Sequence, residues 1–379
     1  MSDPSFVITI LAFLAVLGPL VFIHELGHYY VGRWFGVKAE TFSIGFGREM
    51  FGWTDRRGTR WKVGWLPLGG YVKFAGDMNP ASTPTDEWLA LPAEERNQTF
   101  QSKPVWQRFL IVLAGPATNF LFAIIAFMII FAAIGYPTAT ATVAQVVPNS
   151  AAAKAGITPG DRVVDINGKP IATFLDLMSY VQLRPAEAMT VTLEREGTRR
   201  SVALVSEEKV KEDEFGNQAR VGQLGVSGAQ ALGGAGAGRE QLPVHRLLGA
   251  AVATTWNTVE SMVVALGQVI TGKRSVKELG GPLKIAEVSG QQATLGWLPF
   301  FWLMTVISIN LGFINLLPIP LLDGGHLLFY AIEGVRRKPL RAEAQEWAFR
   351  TGLMVLLALM IFVTFNDLAS FGLFHGLGG

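Results

Sequence analysis

Residues 21–30 read VFIHELGHYY, and His24, Glu25 and His28 within them form the pattern H-E-x-x-H. On a helix, positions i and i+4 lie on one face about a turn apart, so two imidazoles can grip one ion. Glu25 points to nearly the same side, where it can take a proton from an attacking water. Neutral imidazole nitrogens suit Zn²⁺, and two histidines plus a carboxylate with one open position make a catalytic zinc arrangement.

The third ligand must come from elsewhere in the chain. Asp323 is the best candidate, in NLLPIPLLDGGH from Asn315 to His326. Pro318 and Pro320 force an extended stretch ahead of it and leave backbone groups free. His326 is a rival ligand, favoured as a supporting residue. The structural alternative is an Asp that merely caps a turn before Gly324 and Gly325.

These residues need elements to position them, and the composition says what kind. Half of the 379 residues are hydrophobic and 16% are charged, against ~25% in an ordinary soluble domain. That profile belongs to a membrane protein. A net charge of +2 with no basic stripe argues against a nucleic-acid partner. The absence of cysteine excludes a thiol nucleophile, a Cys-ligated metal and any disulfide framework.

Four uncharged apolar runs approach the ~20 residues a helix needs to cross the hydrocarbon core. They are Phe6 to Ile23, running directly into His24, then Phe109 to Gly135, Thr294 to Leu322, and Thr351 to Asn366. The leader MSDPS lacks Lys and Arg and no small-residue cleavage site follows, so the first run reads as a retained span. The loop from Arg33 to Arg108 holds eleven Lys and Arg residues, and that after the third span holds Arg336, Arg337, Lys338, Arg341 and Arg350. The positive-inside rule makes both loops cytoplasmic and both termini external. Asp323 then arrives at the same membrane side as His24 and His28. An interfacial cluster of His and Glu reaching headgroups is the bland alternative for the first motif, and it has no need of this spacing.

HELGH in a first span, with N-x-x-P-x-P-x-x-D-G near the end of a later one, resembles the site-2 protease family, in particular its bacterial RseP-type (regulator of sigma-E protease) branch. The resemblance covers almost the whole chain, including LAGPATN (Leu113 to Asn119) and WKVGWLPLGGYVKFAGD (Trp61 to Asp77). It implies that His24, His28 and Asp323 bind one Zn²⁺ per chain and that Glu25 activates water. It further implies that Asn315, Pro318 and Pro320 lie where they contact the substrate backbone, and that Asn119 lies on a helix near the metal, grouped with the substrate-binding residues. The implied substrates are single-span membrane proteins in a bacterial inner membrane, such as anti-sigma factors and remnant signal peptides. The oligomeric state stays open. Better-known members carry two tandem PDZ domains, whereas this chain has room for one.

The expected fold is therefore a polytopic α-helical membrane protein with four transmembrane helices, a membrane-associated β-hairpin loop and one external PDZ-like α/β domain. Trp61 to Phe74 alternates in character around Pro67-Leu68-Gly69-Gly70, which reads as a hairpin turn. By resemblance this is a re-entrant β-loop over residues 40–77, with Gly69, Gly70 and Tyr71 presenting substrate as an added strand. A plain cytoplasmic hairpin is the alternative.

Residues 138–227 read as the PDZ-like domain, with a tight turn at Asn167-Gly168, a helix from Phe174 to Leu183 and a hairpin through Glu196-Gly197. It either binds a substrate tail or filters substrates by size, and the filter is favoured. Residues 228–246 form a Gly/Ala-rich linker. Leu247 to Ile270 carries Glu260 at its centre, so it reads as an amphipathic surface helix in preference to a fifth span. Placed between the PDZ-like domain and the third span, the stretch to Lys284 is a candidate gate. Rival functions are a scaffold with a dead site and a metal transporter. The transporter predicts ionisable residues in the second and fourth spans, which have none.

Overall fold

The computed structural model describes residues 4–76, 90–212, 218–228, 239–275 and 280–370. In chain order it begins with α1 (Phe6–Trp34), β1 (Ala39–Thr54), β2 (Arg60–Phe74) and α2 (Val105–Ile134). There follow β3 (Val143–Val146), β4 (Arg162–Ile166), β5 (Lys169–Pro170) and α3 (Phe174–Gln182). Next come β6 (Ala188–Arg195), β7 (Thr198–Val205), β8 (Glu207–Glu212), β9 (Gln218–Gln223), β10 (Val226–Gly228) and α4 (Val244–Ile270). The chain ends with α5 (Pro282–Thr294), α6 (Trp297–Leu316), α7 (Asp323–Arg336) and α8 (Ala342–Ser370). Two compact units emerge, Met1–Phe127 with Gly280–Gly379, and Met128–Leu279. Most of the linker read at 228–246 lies outside the described residues, and α4 begins at Val244.

Among the described residues, four helices are long and apolar enough to span a bilayer: Phe6–Trp34, Val105–Ile134, Trp297–Leu316 and Glu343–Leu368. Their outer faces expose Phe6, Val7 and Leu11 on α1, Leu121 and Ile125 on α2, and Met354, Val355 and Ile361 on α8. Apolar side chains on the outside and every backbone bond closed within the helix are what a lipid solvent requires. This is a polytopic membrane protein. The helix containing Leu247 to Ile270 is not one of the four.

In the first unit α1 meets α2 at small residues. A Cβ on Gly27 would lie 2.7 Å from Thr118 Oγ1 and closer still to the Ala114 carbonyl, so the backbones approach as only Gly allows. Thr118 Oγ1 donates to the Ile23 carbonyl at 3.0 Å, and Ser308 Oγ on α6 donates to that of Asn119 at 3.0 Å. Asp367 on α8 caps α5 by accepting from the amides of Gly281 at 3.0 Å and Lys284 at 3.2 Å.

The β-loop differs from the expected hairpin in where it turns. The turn is Asp55 to Thr59: the Asp55 carboxylate accepts from the amides of Arg57 at 2.8 Å and Thr59 at 3.0 Å, and Gly58 takes φ +79°. Pro67 to Gly70 lies inside β2. There Gly45, Gly47 and Gly69, all at positive φ, let both long strands bend and break register. As a result residues 39–44 pair with 70–74 on one side and lie beside 60–63 on the other, and 49–54 pairs with 60–64. The segment 70–74 is left as an edge.

The second unit holds a four-stranded antiparallel sheet in the order β5-β4-β6-β7. Its core is built on Val163, Ile166, Leu177, Val191 and Leu193. Asn167 and Gly168 both take positive φ in the β4–β5 turn, and α3 starts with a capping box of Thr173 and Asp176. Glu260, costly in an apolar helix, pairs with Lys169 at 2.6 Å within this unit.

Candidate metal centre

His24 and His28 lie one turn apart on α1, and Asp323 opens α7. His24 Nε2 stands 3.1 Å from Asp323 Oδ2, His28 Nε2 3.5 Å from the same oxygen, and the two imidazole nitrogens 3.2 Å apart. Ligands at zinc's ~2.0–2.1 Å in a tetrahedral array are about 3.3 Å from one another. The three atoms therefore already have ligand spacing. Asp323 Oδ2 is buried without a hydrogen-bond partner, as a carboxylate oxygen awaiting a cation would be. This donor set fits Zn²⁺.

Each ligand is delivered by a local feature. Opposite α1, Gly115 on α2 faces both imidazoles, and a Cβ there would sit 2.9 Å from His24 Nε2 and inside contact distance of His28 Nε2. The Ile111 carbonyl on α2 is 2.9 Å from His28 Nδ1, accepts its proton and leaves Nε2 bare for a metal. Asn119, two turns further along α2, meets His24 Nδ1 at 3.0 Å.

Asp323 depends on the break after α6. The Leu317–Leu322 segment is non-helical, with Leu321 at φ +83°, a costly conformation for a branched residue. Gly324 and Gly325 abut the carbonyls of Leu317 and Ile319, where no Cβ fits. The two glycines let α7 restart directly against the broken segment. Arg108 on α2 and Glu333 on α7 pair at 3.1 Å with both side chains largely buried, holding that helix in place.

Glu25 is buried beside the ligands, and Val72 of β2 lines the same cavity. A Cβ on Gly70 would meet Val21 Cγ1 at 2.8 Å and Glu25 Cγ at 3.1 Å, so only a glycine lets the edge strand run this close. A cavity of about 460 Å³ is lined by His24, Glu25, His28 and Asp323, by Gly69, Gly70, Tyr71 and Val72, and by Asn315 and His326. Of the residues singled out in the sequence, Asn119, Pro318 and Pro320 are not on that lining, and His326 lies outside the three-ligand group. Sequence reading missed Gly115 and the Ile111 carbonyl. A Gly-Pro pair inside a span was the available signal for the first. Backbone groups leave none.

A model described as Peptidase family M50 matches residues 12–359. The chain is 44% identical over 362 residues to "Putative zinc metalloprotease Atu1380" of Agrobacterium fabrum, covering 95% of this chain and 96% of that protein. It is 37% identical over 400 residues to "Metalloprotease MmpA" of Caulobacter vibrioides, covering 99% of each. The family match runs from inside α1 into α8 and so takes in both halves of the His24, His28 and Asp323 cluster: the chain belongs to peptidase family M50, the site-2 proteases.

Proposed function

We propose that the chain is a zinc-dependent intramembrane endopeptidase that hydrolyses peptide bonds within or beside the transmembrane segments of single-span membrane proteins. The observation that carries this reading is one cavity, among apolar helices, holding three metal-ligand atoms and the Glu25 carboxylate. Family membership and the names of the relatives support zinc. His24, His28 and Asp323 hold one Zn²⁺ per chain. Bound there, the ion supplies the Lewis acidity that makes water nucleophilic near neutral pH and polarises the scissile carbonyl.

The chain's own residues supply the rest. Glu25 takes the proton of the attacking water and passes it to the leaving amine. A helical substrate has its backbone groups already paired, so it must be drawn out before cleavage. The 70–74 edge beside Glu25 receives the unwound segment as an added strand, with Gly69, Gly70 and Tyr71 along it. Asn315, and the extended segment kept so by Pro318 and Pro320, contact the peptide backbone from the other side.

The Lys and Arg distribution supports a bacterial inner-membrane orientation with both termini and the PDZ-like domain external and the active site near the cytoplasmic face. There the PDZ-like domain filters substrates by size, and anti-sigma-factor-like proteins and remnant signal peptides fit the filter. The test is cleavage of a single-span reporter by purified protein, wild type against Glu25→Gln, with zinc measured in both. Cleavage only by wild type, with equal zinc in both, is expected. Cleavage that survives in Glu25→Gln overturns the role of Glu25, and zinc and cleavage in neither overturn the reading in favour of a scaffold.

A further inference from the structure

Asn119 is fully buried, off the cavity lining, and its side-chain nitrogen faces His24 Nδ1 at 3.0 Å. Its Oδ1 is buried with no hydrogen-bond partner. This pairing conflicts with the geometry on the other side of the ring. If the amide donates to Nδ1, the ring proton sits on Nε2, the nitrogen 3.1 Å from Asp323 and 3.2 Å from His28. A protonated Nε2 cannot ligate a metal. The acceptor that His24 needs, Oδ1, is idle on the same side chain.

The two ends of an Asn amide are nearly identical in shape, so the surrounding network decides which faces a partner. We propose that Asn119 presents Oδ1 to His24, accepting from its Nδ1–H and leaving Nε2 bare for the metal. Asn119 is then a positioning residue that fixes the ring orientation and tautomer of His24, and not a contact for substrate. His28 supports the pattern: its Nδ1 is held by the Ile111 carbonyl of the same helix, so α2 supplies an acceptor to both imidazoles. The Ser308 bond to the Asn119 carbonyl anchors the backbone from which the amide reaches.

The inference rests on His24 being a zinc ligand, and the test separates the two. Zinc affinity is measured by competition with a chromophoric chelator on the purified full-length protein and on Asn119→Asp, Asn119→Leu and His24→Ala. Aspartate keeps an acceptor and should bind zinc within a few-fold of wild type, whereas leucine should bind about 10–100-fold more weakly. Leucine binding like wild type, or aspartate falling as far as leucine, overturns the role of Asn119. A His24→Ala variant that binds like wild type overturns the ligand assignment and this inference with it. Should Asn119→Leu fail to fold, magic-angle-spinning NMR of histidine-labelled, metal-loaded wild type reads the tautomer directly. A His24 proton on Nδ1 supports the proposal, and one on Nε2 overturns it.

Discussion

The backbone of α2 at Gly115 faces the His28 imidazole so closely that no side chain could stand between them. The two histidines of the candidate site are thus pressed against a helix that has neither bulk nor charge at the point of contact. The same helix returns a carbonyl to His28 and an amide to His24. The candidate metal centre is a product of this helix pair as much as of the motif on α1.

Gly115→Ala should accordingly displace both imidazoles. Ligand shifts of about 1 Å cost ~100-fold in rate, so reporter cleavage should fall by that order, together with zinc content. Retention of both would mean that α2 yields easily, and the account of the helix pair would fail.

Asp323→Ala removes the only carboxylate of the cluster. Zinc at ~100 times its dissociation constant stabilises a folded protein by about 2.7 kcal/mol. Wild type should show a zinc-dependent rise in melting temperature that chelator reverses, and Asp323→Ala should show little or none. An equal rise in both would remove Asp323 from the ligand set.

Gly70→Ala addresses the edge strand without touching a ligand. The added methyl collides with Val21 and Glu25, so the strand must move away from the cavity. Zinc content should stay at the wild-type level while kcat/KM falls about 10–100-fold. Unchanged kinetics would argue that substrate does not use this edge.

A pH effect is expected in the second unit. Asp161 is buried, accepts from Arg195 at 2.6 and 2.8 Å and from the Thr158 amide at 2.8 Å, and is held below the usual carboxylate range, chiefly by the Arg195 hydrogen bonds. A depressed folded-state pKa gives stability that is present above the unfolded pKa and lost as pH falls through the folded one. Hydrogen exchange of residues 141–205 in the full chain should show Asp161→Asn opening more readily than wild type at pH 7. The gap should close in acid below pH ~4, where Asp begins to protonate when unfolded. A pH-independent gap would mean that the Asp161 charge contributes nothing.

Much of this protein was legible without coordinates because its signals are local. A bilayer needs long uncharged runs, and a zinc pair on a helix needs a fixed spacing, so the four spans and the pairing of His24 with His28 could be read from residue order. Asp323 could be proposed as their partner because the positive-inside rule brings the end of the third run to the membrane side of His24 and His28. The β-loop turn was misjudged, since Pro67-Leu68-Gly69-Gly70 carries a stronger turn signature than Asp55-Arg56-Arg57-Gly58. What favours the latter is the pair of amides that Asp55 accepts and the long-range pairing of β1 with β2.

The order of residues by itself determined the membrane class, the four candidate spans and the H-E-x-x-H spacing, because each is written in hydropathy or short-range spacing. Only the tertiary structure decided what stands around them: Gly115 against the imidazoles, the Ile111 carbonyl on His28, the Asn119 amide on His24 and the Gly70 backbone against Glu25. These are contacts between elements far apart in the chain, made largely by backbone groups and by the absence of side chains. Every residue carries the same amide and carbonyl, so nothing in their order marks which ones the fold will bring to a metal.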